Sequence, residues 1–120
     1  MTAKKIIQDF YKSDALINVA EMDHFLHHDF ILEWQSSKGF SNLNKQGVLE
    51  LTKELAASYV GSKIRIHSIL QEKNQVAVRY THFVKTVENP HEEMLLAHFF
   101  VIWEVKEDKL FRGFQMSQIS

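Results

Sequence analysis

Histidine is the side chain best suited to moving protons near neutral pH, because its unperturbed pKa lies near 6.5, and this chain holds seven of them. Two lie in long, largely apolar strings: His82 in VAVRYTHFVKT and His98 in MLLAHFFVIWEV. A histidine so placed can be an acid–base group, a metal ligand or a packed bystander, and the face it occupies decides between them. A third group is HFLHHD, residues 24–29, where His24 and His28 have the i, i+4 spacing that sets two imidazoles on one helix face. The glutamate of an HExxH motif is missing, with Phe25 in its place. Histidine at a helix end also complements the helix dipole. His24, His27, His28 and Asp29 are therefore read as helix-end residues, and neither a metal nor another cofactor is expected. His67 and His91 fall at solvent-facing positions, one beside Arg65 in parity and one in the NPHEE turn. Four glycines leave little material for a phosphate loop, and no nucleophile elbow or Ser–His–Asp order occurs.

The elements that must position these residues fit in one domain, residues 1–120, long enough to bury a core and too short for two. With 45% hydrophobic and 24% charged residues, the composition is that of a globular protein. Fourteen Lys and Arg against fifteen Asp and Glu, with no basic block, predict neither a nucleic-acid nor a membrane-surface partner. Without cysteine, disulfides and thiolate metal sites are excluded. MTAKKIIQDFYK carries lysines but no apolar signal region after them, which predicts a cytoplasmic protein. Residues 94–105 are too few to span a membrane.

Ile6, Ile7, Phe10, Tyr11, Ala15 and Leu16 recur at helical spacing and predict a first helix over residues 3–16. Asn18 with Glu21 forms a capping box that opens a short second helix ending near 26 or 27. FILEWQSS, 30–37, reads as a strand, and KGFSNLN, 38–44, as a loop whose Asn44 caps a third helix. Val48, Leu51, Leu55 and Tyr59 form that helix's apolar face, and Gly61 is read as its stop. From Ser62 the pattern becomes extended, with turns at EKNQ, ENPHE and KEDK separating strands at 63–70, 76–86, 94–105 and 110–118. The MLLA opening of the third of these suits a helix, but its β-branched and aromatic second half favours a strand.

Helix, helix, strand, helix and four long strands, with FLHHD before FILEW, the VAVRYTH strand and the closing hairpin FVIWEVKEDKLFRGFQ, resemble the nuclear transport factor 2-like superfamily. That group contains SnoaL-like polyketide cyclases and ketosteroid isomerases. The resemblance covers essentially the whole chain. It implies an α+β cone: three N-terminal helices packed on a strongly bent, mostly antiparallel five-stranded sheet that encloses a pocket. It also implies that the outer sheet face packs against a second subunit.

Strand alternation sorts side chains between those two surfaces. Glu104 and Arg112 mark the outer face of the last hairpin, which puts His98, Phe100, Ile102, Phe114 and Met116 outside with them. So apolar a face predicts a homodimer interface, with His98 in it or at its rim. The inner set is then Ala97, Phe99, Val101, Trp103, Gly113 and Gln115. On the VAVRYTH strand, solvent-facing Arg79 turns Tyr80 and His82 inward, and Trp34 is inward by the resemblance. The predicted ligand pocket is lined by Phe10, Trp34, Tyr80, His82, Phe99, Val101, Trp103 and Gln115, aromatic with a few polar points.

The steroid isomerases of the superfamily use a tyrosine from the first helix, an aspartate base from the first strand and a protonated aspartic acid from the penultimate strand. At the matching positions stand Phe10, Trp34 and Val101, so the resemblance does not carry that reaction to this chain. Tyr11 is one residue, about 100° of helix, away from Phe10. Its cyclases and dehydratases use histidine–aspartate pairs, and here His82 is the inward histidine with no inward carboxylate placed beside it. The first expectation is a protein that binds a small apolar or aromatic molecule. The second is a cyclase-, dehydratase- or isomerase-type enzyme with His82 as general acid or base and Tyr80 assisting. The third is an interaction domain whose cavity is filled by Trp34, Phe99 and Trp103.

Overall fold

The computed structural model describes residues 2–119. Helix α1 (Ala3–Lys12) starts at Thr2, whose hydroxyl accepts the Lys5 N–H at 3.1 Å. It buries Ile6, Ile7, Phe10 and Tyr11, and stops four residues earlier than its apolar spacing predicts. Ser13 takes an extended backbone and turns its hydroxyl back to the Phe10 carbonyl at 2.6 Å, so Ala15–Ile17 form a separate 3-10 turn. Asn18 caps α2 (Val19–Phe25) as the sequence predicts, accepting from Glu21 N at 3.2 Å. Asn44 likewise caps α3 (Lys45–Ser58) through Gly47 N at 2.9 Å. Gly61 is not the stop of that helix: α3 passes directly into the following strand at Tyr59, and Gly61 lies inside the strand.

The strands are β1 (Leu26–Ser36), β2 (Gly39–Asn44), β3 (Tyr59–Glu72), β4 (Gln75–Thr86), β5 (Met94–Lys106) and β6 (Lys109–Ile119). They form one sheet in the order β2-β1-β6-β5-β4-β3, parallel only between β1 and β6. Six strands replace the five expected, because residues 39–44 pair antiparallel with β1 rather than looping. GFSNLN lacks apolar alternation since it is an exposed edge strand. β1 also begins at Leu26, four residues before its predicted start. Residues 94–106 form a strand paired on both sides, with β4 and β6.

Register shifts at four places in the antiparallel pairs leave Val60 and His67 on β3, Leu96 on β5 and Phe111 on β6 as unpaired extra residues. Each such bulge bends and twists its strand locally, and between them they shape the sheet into a cone around the helices. The β5–β6 hairpin closes through Glu107 and Asp108, both at positive φ, the conformation of a tight two-residue turn. Gly113 is required by packing: a Cβ there would come within 2.7 Å of the Trp103 ring and 2.8 Å of Leu32 Cδ1. The core beneath the sheet centres on Trp103, Phe10, Phe30, Tyr11 and Tyr80. No helix among the described residues is long and apolar enough to cross a membrane.

Candidate functional site

The concave face of the sheet carries the buried polar groups. His82 on β4 is 3% exposed and its Nε2 lies 2.7 Å from the hydroxyl of Ser62 on β3. Burial among apolar neighbours disfavours the charged imidazolium and pushes its pKa down to about 4. At neutral pH His82 is therefore an uncharged ring sharing one proton with Ser62. Its neighbour on β5 is the Phe99 ring, 6.3 Å away between centroids.

Next to this pair stands an aromatic column. Phe99 and Tyr80 stack at 4.8 Å with rings only 6° from parallel, and Tyr80 meets Tyr11 at 4.6 Å. The Trp103 indole N–H donates to the Tyr11 hydroxyl at 2.9 Å. Burial raises the pKa of both tyrosines above the ordinary phenol value, so both hydroxyls stay protonated. Phe10 packs edge-on against Tyr11, Phe25 and Trp103. Trp34, half-buried on β1, donates its indole N–H to Ser117 at 2.8 Å, and Val101 and Gln115 are buried on β5 and β6.

Of the eight residues predicted to line a pocket, Phe10, Tyr80, Val101 and Trp103 belong to the packed core, with Trp34 and Phe99 against it. Open space lies to one side of them, between α1 and β3. This cleft of about 430 Å³ has an apolar floor of Ile64, Ile66 and Ile69 and a polar rim of Gln8, Lys12, Ser13, Ser62 and Lys63, with Tyr11 at its inner wall. Sequence reasoning missed two residues that matter here. Tyr11 is buried beside Phe10 because the apolar face of α1 is wide enough to take adjacent residues. Ser62 shares the inner parity of Ile64 and Ile66, a signal available in the sequence had β3 been started earlier.

The convex face is different. His98, Phe100, Ile102, Phe114 and Met116 are all exposed on it, Phe100 at 60% and Met116 at 63%, and Phe40 of β2 extends the patch. Thr81, itself buried, links two histidines there: its hydroxyl lies 2.8 Å from His67 Nε2 and 3.1 Å from His98 Nδ1. Burial, then the charges of Arg79, Arg65 and His98, lower the His67 pKa. A shallow groove of about 430 Å³ runs over His67, Arg79, Thr81, His98, Phe100 and Met116.

The histidine group at residues 24–29 gathers at the start of β1. His27 and His28 stack at 4.2 Å, and His27, His28 and Asp29 bring candidate ligand atoms within 4.8 Å of one another. His27 Nδ1, however, accepts the Asp29 backbone N–H at 3.0 Å, which places the proton of the neutral ring on Nε2 and makes that atom a donor.

This architecture is the nuclear transport factor 2-like cone. Among solved structures, the chain superposes with a TM-score of 0.72 on an LEH-like epoxide hydrolase of M. tuberculosis, at 17% identity over 96% of this chain and 81% of that one. It matches IdmH, a candidate polyketide cyclase of Streptomyces antibioticus, with a TM-score of 0.75 at 12% identity, covering 98% and 92%. A protein from Catenulispora acidiphila with a ketosteroid isomerase-like fold, in complex with trimethylamine, gives 0.70 at 7% identity, covering 92% and 82%. Identities this low establish the fold alone. No family model and no curated protein matches the sequence.

Proposed function

We propose that this chain is a cytoplasmic small-molecule-binding protein, a single domain of residues 1–120 working as a homodimer, that takes a small, largely apolar molecule. The observation that carries this reading is the cleft between α1 and β3, whose isoleucine-floored lining includes Ser62, the hydroxyl that contacts His82 behind it at 2.7 Å. An apolar surface with a few converging polar groups is the usual constitution of a ligand site. The trimethylamine complex supports it by showing a small molecule held by a protein of the same fold. The exposed Phe100, Ile102, Phe114 and Met116 support dimerisation, because a contiguous apolar patch on a sheet face is covered at lower free energy by a second copy than by water.

A second reading, an enzyme of the cyclase, dehydratase or isomerase type, is favoured by the 2.7 Å contact between Ser62 and His82. The neutral ring has a lone pair at pH 7 and can take or relay a proton through the serine hydroxyl, with Tyr80 supplying a protonated hydroxyl nearby. A pKa of about 4 makes His82 a weak base, suited to a substrate proton already acidified by an adjacent carbonyl.

Native mass spectrometry of the purified protein, compared with the denatured chain, tests both readings. A dimer carrying releasable mass, lost in Ile66→Trp, supports the ligand reading and supplies the molecule. Turnover of that molecule, abolished in His82→Gln with binding retained, supports the enzyme. A protein that stays empty and shows no thermal shift across a panel of small apolar compounds defeats both. That outcome leaves an interaction domain filled by its own Trp34, Phe99 and Trp103.

A further inference from the structure

The histidine cluster at the base of the cone holds a buried donor that the ligand cleft does not use. His27 is 4% exposed and its Nδ1 lone pair is committed to the Asp29 N–H, so Nε2 carries the proton. Among the described residues that Nε2–H has no hydrogen-bond partner. An unpaired buried donor keeps the full cost of its lost hydration, and native proteins leave few such groups without a role or an acceptor. A nearby carboxylate oxygen, Glu107 Oε1, stands 3.5 Å away, beyond good hydrogen-bonding distance. Glu107 sits in the β5–β6 turn with its side chain 67% exposed, free to swing out.

His27 and Glu107 both line a cleft of about 440 Å³ built where the end of α2, the start of β1, the first residue of α3 and the β5–β6 turn meet. Two ammonium groups line the same cleft, and both are anchored. Lys45 Nζ is 3.0 Å from Asp23 Oδ1 and reaches the Leu26 carbonyl, and Lys109 Nζ donates to the His24 carbonyl. Lys45 also opens a 14-residue helix with no acidic residue in its first turn, so the positive end of the helix dipole adds to the field. Asp23 is paired with Lys45, whereas Lys109 has no carboxylate within 4 Å among the described residues. Displacing Glu107 removes the carboxylate that stands 3.5 Å from His27 Nε2.

We propose that this cleft is an oxyanion site, taking the carboxylate or phosphate group of a small ligand, with His27 Nε2–H as the buried donor and Lys45 and Lys109 as the charges. Glu107 is its built-in competitor. A divalent metal fits the same atoms poorly: coordination through Nε2 needs a lone pair there, and the Asp29 N–H has fixed the opposite tautomer.

The test is a two-dimensional NMR titration of the full chain with inorganic phosphate and, separately, acetate, at constant ionic strength made up with chloride. Saturable shifts confined to His27, Lys45 and Lys109 and their neighbours support the site. Saturation by acetate alone assigns it to carboxylates, and saturation by phosphate alone to phosphates. Glu107→Gln, an exposed change, is expected to tighten binding several-fold, and Lys109→Met to weaken it several-fold. Shifts that fail to saturate, or that spread equally to remote lysines such as Lys5 and Lys38, overturn the proposal. So does an affinity indifferent to Glu107→Gln.

Discussion

The two faces of the sheet use the same residue types to opposite ends. Thr81 and His82 are consecutive on β4, yet Thr81 looks out to His67 and His98 while His82 looks in to Ser62. Inside, the core rings rest on one another: Trp103 on Phe10, Tyr11 on Tyr80, Tyr80 on Phe99. Outside, Phe100 and Met116 face solvent. The inner aromatic surface is already spent on folding. The outer one remains available for association, so equal hydrophobicity in the sequence translates into different thermodynamic uses.

Truncation should separate the faces most sharply. Trp103→Ala removes a buried ring and the donor to Tyr11, and is expected to cost about 3–5 kcal/mol of folding stability. Phe100→Ala should change the stability of the isolated protomer by only about 0.5 kcal/mol or less while weakening the proposed dimer. Urea denaturation of both variants checks this, and equal losses would break the distinction.

Acidification is the next largest effect. The His82 pKa lies near 4 when folded against 6.5 unfolded, so the unfolded chain takes up the proton first. Stability is full above pH 6.5, falls as pH drops toward 4, and levels off below. The total is on the order of 3 kcal/mol. His82→Gln should flatten this part of the profile. A wild-type curve equally flat from pH 7 to 4 would show that His82 charges freely and that the inner face is wet.

Much of this division was legible in the sequence. Glu104 and Arg112 mark the outer side of the last hairpin, and alternation from them sorts every residue from Ala97 to Trp103 and from Gly113 to Met116 onto the face where it is found. That worked because both strands are paired on each side and regular over the stretch. Legibility failed where elements change character without a glycine or proline to mark it, as at Ser58–Tyr59, or where an edge strand is polar on both faces, as in β2. It failed again at bulges: the extra residue His67 resets the parity of β3, so Ile69 follows Ile66 on the inner side. The Ser62–His82 and His67–Thr81–His98 contacts join strands through register, and register is fixed by pairing partners a linear pattern does not display.

The smallest expected effect bears on the outer face. A hydroxyl has one proton and two lone pairs, so with both imidazoles neutral Thr81 donates to one and accepts an N–H from the other. Protonating the acceptor ring turns both histidines into donors and leaves the Thr81 proton without a partner. It also adds positive charge beside Arg65 and Arg79, the groups that already lower the His67 pKa. A lowered pKa means the neutral form is preferred in the folded protein, and covering this face with a second copy strengthens that preference. The proposed dimer should therefore be tightest with both rings neutral and weaken several-fold as pH falls through the lowered His67 pKa. Sedimentation measured from pH 7.5 to 5.5 reads this directly, with His98→Gln expected to blunt the dependence. A dimer of constant affinity over that range would place the histidines outside the contact and shift the interface toward Phe40, Ile102 and Phe114. A monomer at every pH would remove the interface itself.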